Sequence, residues 1–230
     1  RTKALVLNTP NNPSGRVFDR EELQADVDLC LKHDILAITD EIYEHIYYKG
    51  EHLPLATWEG MADRTIAVSG LSKTFSVTGW RVGTNVAPPD ITDAIRKVHD
   101  FLTVGAPAPL QEACAVGIEE LGSSYYESLA LEYSSRGNTL LSALQETGFN
   151  CSAPEGAYYI LADFSQISGE DDTTFAKDLA RYAGVASVPG SSFFSEPDRG
   201  RSLVRFAFCK RTQTLQDAGD RLRAYAGTRT

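Results

Sequence analysis

Ala4-Leu5-Val6-Leu7-Asn8-Thr9-Pro10-Asn11-Asn12-Pro13-Ser14-Gly15 joins a short apolar run to a string of turn formers. The run predicts a strand, Ala4–Leu7, ending in a loop, because Pro fixes φ and Gly accepts left-handed backbone. Beyond the loop, Asp19 with Glu22 three residues on has the form of a capping box. Leu23, Val27, Cys30 and Leu31 then recur at helical spacing and predict one apolar face. A second strand is expected over Ile35–Thr39. Strand, helix and strand in so short a stretch predict a βαβ unit, and hence an α/β fold built on a mostly parallel sheet.

Further strands are expected at Thr65–Val68 and Arg81–Ala87. Pro88-Pro89-Asp90 closes the last of them and opens a helix to about Thr103. Gly105-Ala106-Pro107-Ala108-Pro109 is a break, followed by helices over Leu110–Leu121 and Tyr125–Thr147. The rhythm then changes, with strands at Tyr158–Ala162 and Leu203–Phe208 and helices near Thr173–Tyr182 and Thr212–Tyr225. The change predicts a large domain over 1–140 and a smaller α+β domain over 141–230. Arg1-Thr2-Lys3 leads straight into the first apolar run with no start methionine. The chain is therefore read as lacking an N-terminal part, with its first strand inside a sheet.

The 230 residues are 42% hydrophobic and carry a formal net charge of -9. The acidic balance argues against nucleic acid or an anionic membrane surface as a partner, since both are polyanions. Cys30, Cys114, Cys151 and Cys209 are too scattered for a zinc site or a disulfide scaffold. His33, His45, His52 and His99 show no ligand spacing either, so no metal is expected. No apolar run is long enough to cross a bilayer, and a cytoplasmic location is expected.

Four short motifs stand at the ends of predicted strands, where open α/β sheets present groups to ligands. They are Asn8–Gly15, Asp40-Glu41-Ile42-Tyr43, Ser69-Gly70-Leu71-Ser72-Lys73 and Thr78-Gly79-Trp80-Arg81. Singly, each has a plain alternative. The first is a turn, Asp40 a helix cap with Tyr43 in the core, and Lys73 and Arg81 surface charges. Together, in this order and at these separations, they resemble the fold-type I pyridoxal 5'-phosphate (PLP) enzymes of aminotransferase class I and II. That resemblance extends to Leu203-Val204-Arg205-Phe206 near the end of the chain.

The resemblance implies a three-layer α/β/α large domain, a small α+β domain and PLP as cofactor. Lys73 matches the catalytic lysine that holds PLP as a Schiff base and moves the proton. Asp40 matches the carboxylate that keeps the pyridine nitrogen protonated. Asn12 and Tyr43 match the groups bonded to the ring's phenolic oxygen. Arg81 with Ser72, and less surely Ser69, matches the phosphate site. Arg205, with Asn12, matches the substrate-binding group that clamps the α-carboxylate. The implied activity is transfer of an amino group between an amino acid and a 2-oxo acid, by a homodimer in the full-length protein.

Leu71–Arg81, Gly105–Gln111 and Arg205-Phe206-Ala207-Phe208-Cys209-Lys210 are similar to the branch containing kynurenine, glutamine and methionine aminotransferases. Thr84 departs from it, standing where a bulky residue commonly follows Arg81-Val82-Gly83. Two other functions stay open on the same residues. One is β-elimination from cysteine S-conjugates or another PLP reaction. The other is an effector-binding domain of a transcription regulator.

Overall fold

The computed structural model describes residues 1–227. Its elements are β1 (Ala4–Asn8), α1 (Arg20–His33), β2 (Leu36–Asp40), β3 (Thr65–Gly70), α2 (Leu71–Thr74), β4 (Gly83–Val86), α3 (Pro89–Leu102), α4 (Ala108–Glu120), α5 (Ser123–Glu146), β5 (Tyr159–Asp163), α6 (Asp172–Asp178), β6 (Val188–Pro189), β7 (Leu203–Ala207) and α7 (Thr212–Gly227). They form two compact units. One comprises Arg1–Asn11 and Val17–Ala130, the other Asn12–Arg16 and Leu131–Thr230. The chain passes from the first unit to the second within α5, between Ala130 and Leu131.

In the first unit the sheet order is β1-β2-β3-β4. The first three strands run parallel and β4 is antiparallel, so the α/β reading of the opening residues holds. α1 starts where the capping box predicts: Glu22 N–H donates to the Asp19 carboxylate, and Asp19 N–H to that of Glu22. Leu23, Val27 and Cys30 bury against Leu7 and Ala37 of the sheet, with Leu55 and Met61 closing the cluster. Leu31, expected on the same face, is 43% exposed and lies over Gly60 instead.

One further expectation shifts. The fourth strand starts at Gly83 and not at Arg81, because Arg81 has φ of 56° and the left-handed region cannot continue a strand. Gly83 then lets β4 come close to β3, since a Cβ there would stand 3.0 Å from the Ser69 carbonyl oxygen. Among the described strands β1 stands at one end of this sheet, and Val6 is 68% exposed.

In the second unit β7 lies between β5 and β6, all antiparallel. β6, only two residues long, carries too little pattern to be read in advance. The core on one face of this sheet is aromatic. Phe164 stacks on Phe175 at 4.0 Å between centroids, and Phe149 meets Phe175 and Phe206 edge-on. α7 adds Leu215 and Leu222. Gly15 belongs here too: its carbonyl accepts from the N–H groups of Glu155 and Gly156, both at 2.8 Å.

The Asp19 cap closes the N-terminal turn of the helix that covers the parallel sheet. Asp19→Ala should therefore cost about 1 kcal/mol of stability in denaturant melts, and Asp19→Ser should recover most of it.

Candidate active site

Parallel strands in step bring their C-terminal ends to one edge. Here Asn8 pairs in register with Asp40, and Asp40 with Val68. The Asn8 side-chain amide and the Thr9 N–H both donate to the Asp40 carbonyl, fixing the end of β2. The Asp40 carboxylate accepts from Ile42 N–H at 3.3 Å and is half-buried. Tyr43 is buried in the turn that follows.

β3 runs without a loop into α2, which carries Ser72, buried, and Lys73, half-buried. After the turn Thr78–Trp80, Arg81 is exposed and held in the left-handed region, its guanidinium donating to the Thr78 carbonyl at 3.1 Å. The Ser69 hydroxyl donates to the Glu44 carboxylate. A hydroxyl has one proton, and here it is directed at Glu44. Ser69 and Arg81 also line an open cleft of about 560 Å³, with His99, Thr103 and Gln111 among the other lining residues. Asp40, Tyr43, Ser72 and Lys73 do not line that cleft.

In the second unit, alternation along β7 buries Val204 and Phe206 and turns Arg205 to the other face. Its guanidinium lies between two rings, 4.2 Å from the Tyr159 centroid and 4.7 Å from that of Phe193. One terminal nitrogen donates to the Asn12 side-chain oxygen at 2.7 Å. The Nε donor is buried and has no hydrogen-bond partner among the described residues. An arginine fork with an unused buried donor is suited to a carboxylate, which accepts two parallel N–H bonds.

Other residues here were not singled out from the sequence. Tyr159 and Phe193 flank Arg205, and no local motif marks them, because the pairing of β5 with β7 and the turn after β6 bring them together. Glu41 is buried at the start of the turn after β2. It accepts from the Thr39 hydroxyl at 2.6 Å and pairs with His52 Nε2 at 2.7 Å. Burial pushes the Glu41 carboxyl up, but the hydrogen bonds from His52 and Thr39 and the attraction of His52 outweigh it, leaving it below its ordinary value. Glu41, Glu44 and His52 bring one possible ligand atom each within 4.8 Å of the others. Both Glu41 oxygens are engaged by protein donors, and the Glu44 carboxylate accepts from Ser69.

The model of the family described as aminotransferase class I and II matches residues 1–222. The chain belongs to that family. Among its relatives, a kynurenine–oxoglutarate transaminase of Dictyostelium discoideum is 37% identical over 244 residues, covering 96% of this chain and 56% of the relative. A probable N-succinyldiaminopimelate aminotransferase of Mycobacterium tuberculosis is 35% identical over 236 residues, covering 98% and 59%.

Among solved structures, the N-succinyldiaminopimelate aminotransferase of M. tuberculosis superposes with a TM-score of 0.93 at 36% identity, covering 97% of this chain and 58% of that one. A methionine aminotransferase of Escherichia coli gives 0.91 at 36%, with the same coverage. This family member thus has the fold of class I and II aminotransferases, and it spans a little over half the length of the curated relatives it matches. The family implies PLP as cofactor in general terms. No helix among the described residues is long and apolar enough to cross a membrane.

The lowered Glu41 pKa carries a stability consequence. Its contribution is fully present above the ordinary carboxyl value of 4.5 and is lost as pH falls through the lower folded value. Glu41→Gln should cost about 1–3 kcal/mol near pH 7. The gap between variant and wild type in thermal melts should shrink below pH 4.5.

Proposed function

We propose that this protein is a PLP-dependent aminotransferase, moving an amino group between an amino acid and a 2-oxo acid. The observation that carries it is Arg205. A guanidinium held between Tyr159 and Phe193, braced by Asn12 and with a buried Nε donor unused among the described residues, supports a clamp for the α-carboxylate common to both substrates.

The donor set of the first unit fits PLP. An amine, a carboxylate, a phenol, a hydroxyl and a guanidinium stand at the strand ends or on the short segments that follow them: Lys73, Asp40, Tyr43, Ser72 and Arg81. When bound, PLP supplies the electron sink that lets a Cα–H bond break heterolytically. Lys73 would hold the cofactor covalently through Nζ and, as a free amine, carry the proton removed from Cα. Asp40 would keep a proton on the pyridine nitrogen by direct charge pairing. The Tyr43 hydroxyl would bond the ring's phenolic oxygen. Ser72 and Arg81 would bind the phosphate, Arg81 as the cation and Ser72 as a hydroxyl donor. Ser69 could join them only by giving up its bond to Glu44.

A homodimer in the complete protein is part of the same proposal. Apolar side chains left open near the end of α3, Phe101 (94% exposed), Leu102 and Val104, support association with further protein surface. A cytoplasmic location is also proposed; the described free cysteines, Cys30, Cys114, Cys151 and Cys209, suit a reducing compartment.

The complete protein, given PLP, one amino acid and a panel of 2-oxo acids, should form the new amino acid corresponding to the 2-oxo acid, seen by chromatography. Release of ammonia and pyruvate without a new amino acid would mark elimination instead. Lys73→Ala should abolish turnover and remove the PLP adduct that borohydride fixes to the protein. An adduct surviving in that variant would place the cofactor on another lysine. Arg205→Lys keeps the charge and loses the fork, so it should raise the half-saturating substrate concentration about ten- to a hundred-fold, the effect of about 1.5–3 kcal/mol. The absorption spectrum of bound cofactor should not change, and loss of PLP from this variant would contradict the role given to Arg205.

A further inference from the structure

Alternation at the end of β2 sends neighbouring side chains to opposite faces. Thr39 and Glu41 are both buried, and Asp40 between them is half-buried. A buried carboxylate needs donors for both oxygens, and Glu41 has them in Thr39 and His52. The His52 side chain is itself only 8% exposed, on a segment that returns to the strand end after the turn at Gly50. The brace therefore comes from outside the turn it holds.

That turn carries Tyr43, and Asp40 opens it. Glu41 N–H donates to the Val68 carbonyl, Glu44 N–H to the Glu41 carbonyl, and Ile46 N–H to the Tyr43 carbonyl, each at 2.8 Å. Ser69 holds Glu44 from β3. Within this frame Glu41 is a fixed point with one buried side-chain bond to its own strand and one to His52. Without the second, the carboxylate keeps a buried oxygen with no donor, and the turn must shift to bring it one.

We propose that His52 is a positioning residue: by fixing Glu41 it sets the placement of Asp40 and Tyr43 toward the cofactor ring. The role rests on the proposed function, in which Asp40 and Tyr43 hold PLP. In this role His52 acts through Glu41, whose carboxylate its Nε2 meets at 2.7 Å. Misplacement of a positioned group by about 1 Å is enough to cost a hundred-fold in an oriented site.

The test uses the complete protein and PLP itself. By displacing Asp40 and Tyr43, His52→Leu should weaken equilibrium PLP binding by about tenfold, as if one of their charge-assisted bonds to the ring were lost. It should also shift the pH midpoint of the visible band of bound PLP, which a loss of stability alone would not move. His52→Gln places an amide donor near the Nε2 position and should restore the midpoint and bring affinity to within about threefold of wild type. Thr39→Val removes the other donor to Glu41 with little change of shape. It should lower affinity in the same direction, and it decides the matter by the same two readouts if His52→Leu does not fold. Wild-type affinity and midpoint in a folded His52→Leu or Thr39→Val protein would overturn the role of His52 alone. So would a His52→Gln protein as impaired as His52→Leu. A wild-type protein that takes up no PLP would overturn the proposed function together with it.

Discussion

The parallel register of β1, β2 and β3 is the constraint from which the first unit's chemistry follows. With Asn8 beside Asp40 and Asp40 beside Val68, the three strands finish together, and their connections leave from one edge. Every polar residue proposed to act on the cofactor from this unit lies at that edge or within the turn next to it. A slip of one residue in β2 would exchange the faces of Asp40 and Glu41. It would put the carboxylate that is braced by Thr39 and His52 where the other now stands. The register is secured by apolar burial, since Leu7 and Ala37 lock the sheet to Leu23, Val27 and Cys30 of the covering helix.

Local signals made much of this legible in the sequence. Asp19 and Glu22 announce their helix because a capping box lies within four residues, and both of its hydrogen bonds form. The first three strands begin within a residue of their expected starts, because each is a short apolar run closed by polar residues. What was missed depends on distant contacts. Leu31 has the right spacing for burial, yet it packs over Gly60 at the rim of the core, and spacing cannot say how wide a buried face is. Arg81 has the composition of a strand start, but its left-handed φ is set by the turn before it.

The same division runs through the site. Asp40, Tyr43, Ser72, Lys73 and Arg81 sit in motifs and could be singled out one by one. Glu41 sits between two of them and still gave no signal, because its importance lies in being buried and paired with His52. Tyr159 and Phe193 come to Arg205 only because the strand at 203–207 turns that side chain away from the aromatic core. A sequence displays groups with chemistry to offer more readily than the groups that hold them still.

The assignment of Asn12–Arg16 to the unit that otherwise begins at Leu131 bears on how the protein is made. Synthesis proceeds from the N-terminus, so this short piece leaves the ribosome long before Glu155 and Gly156, the partners of the Gly15 carbonyl. The C-terminal unit is therefore not a module that a single cut in α5 could release intact, because its first five residues would stay behind with the other half. Gly15 also has a φ of 70°, and a Cβ there would stand 2.7 Å from Pro154 Cβ, so the seam admits no side chain. Completion of the second unit therefore draws on five residues that sequence order places ahead of most of the first.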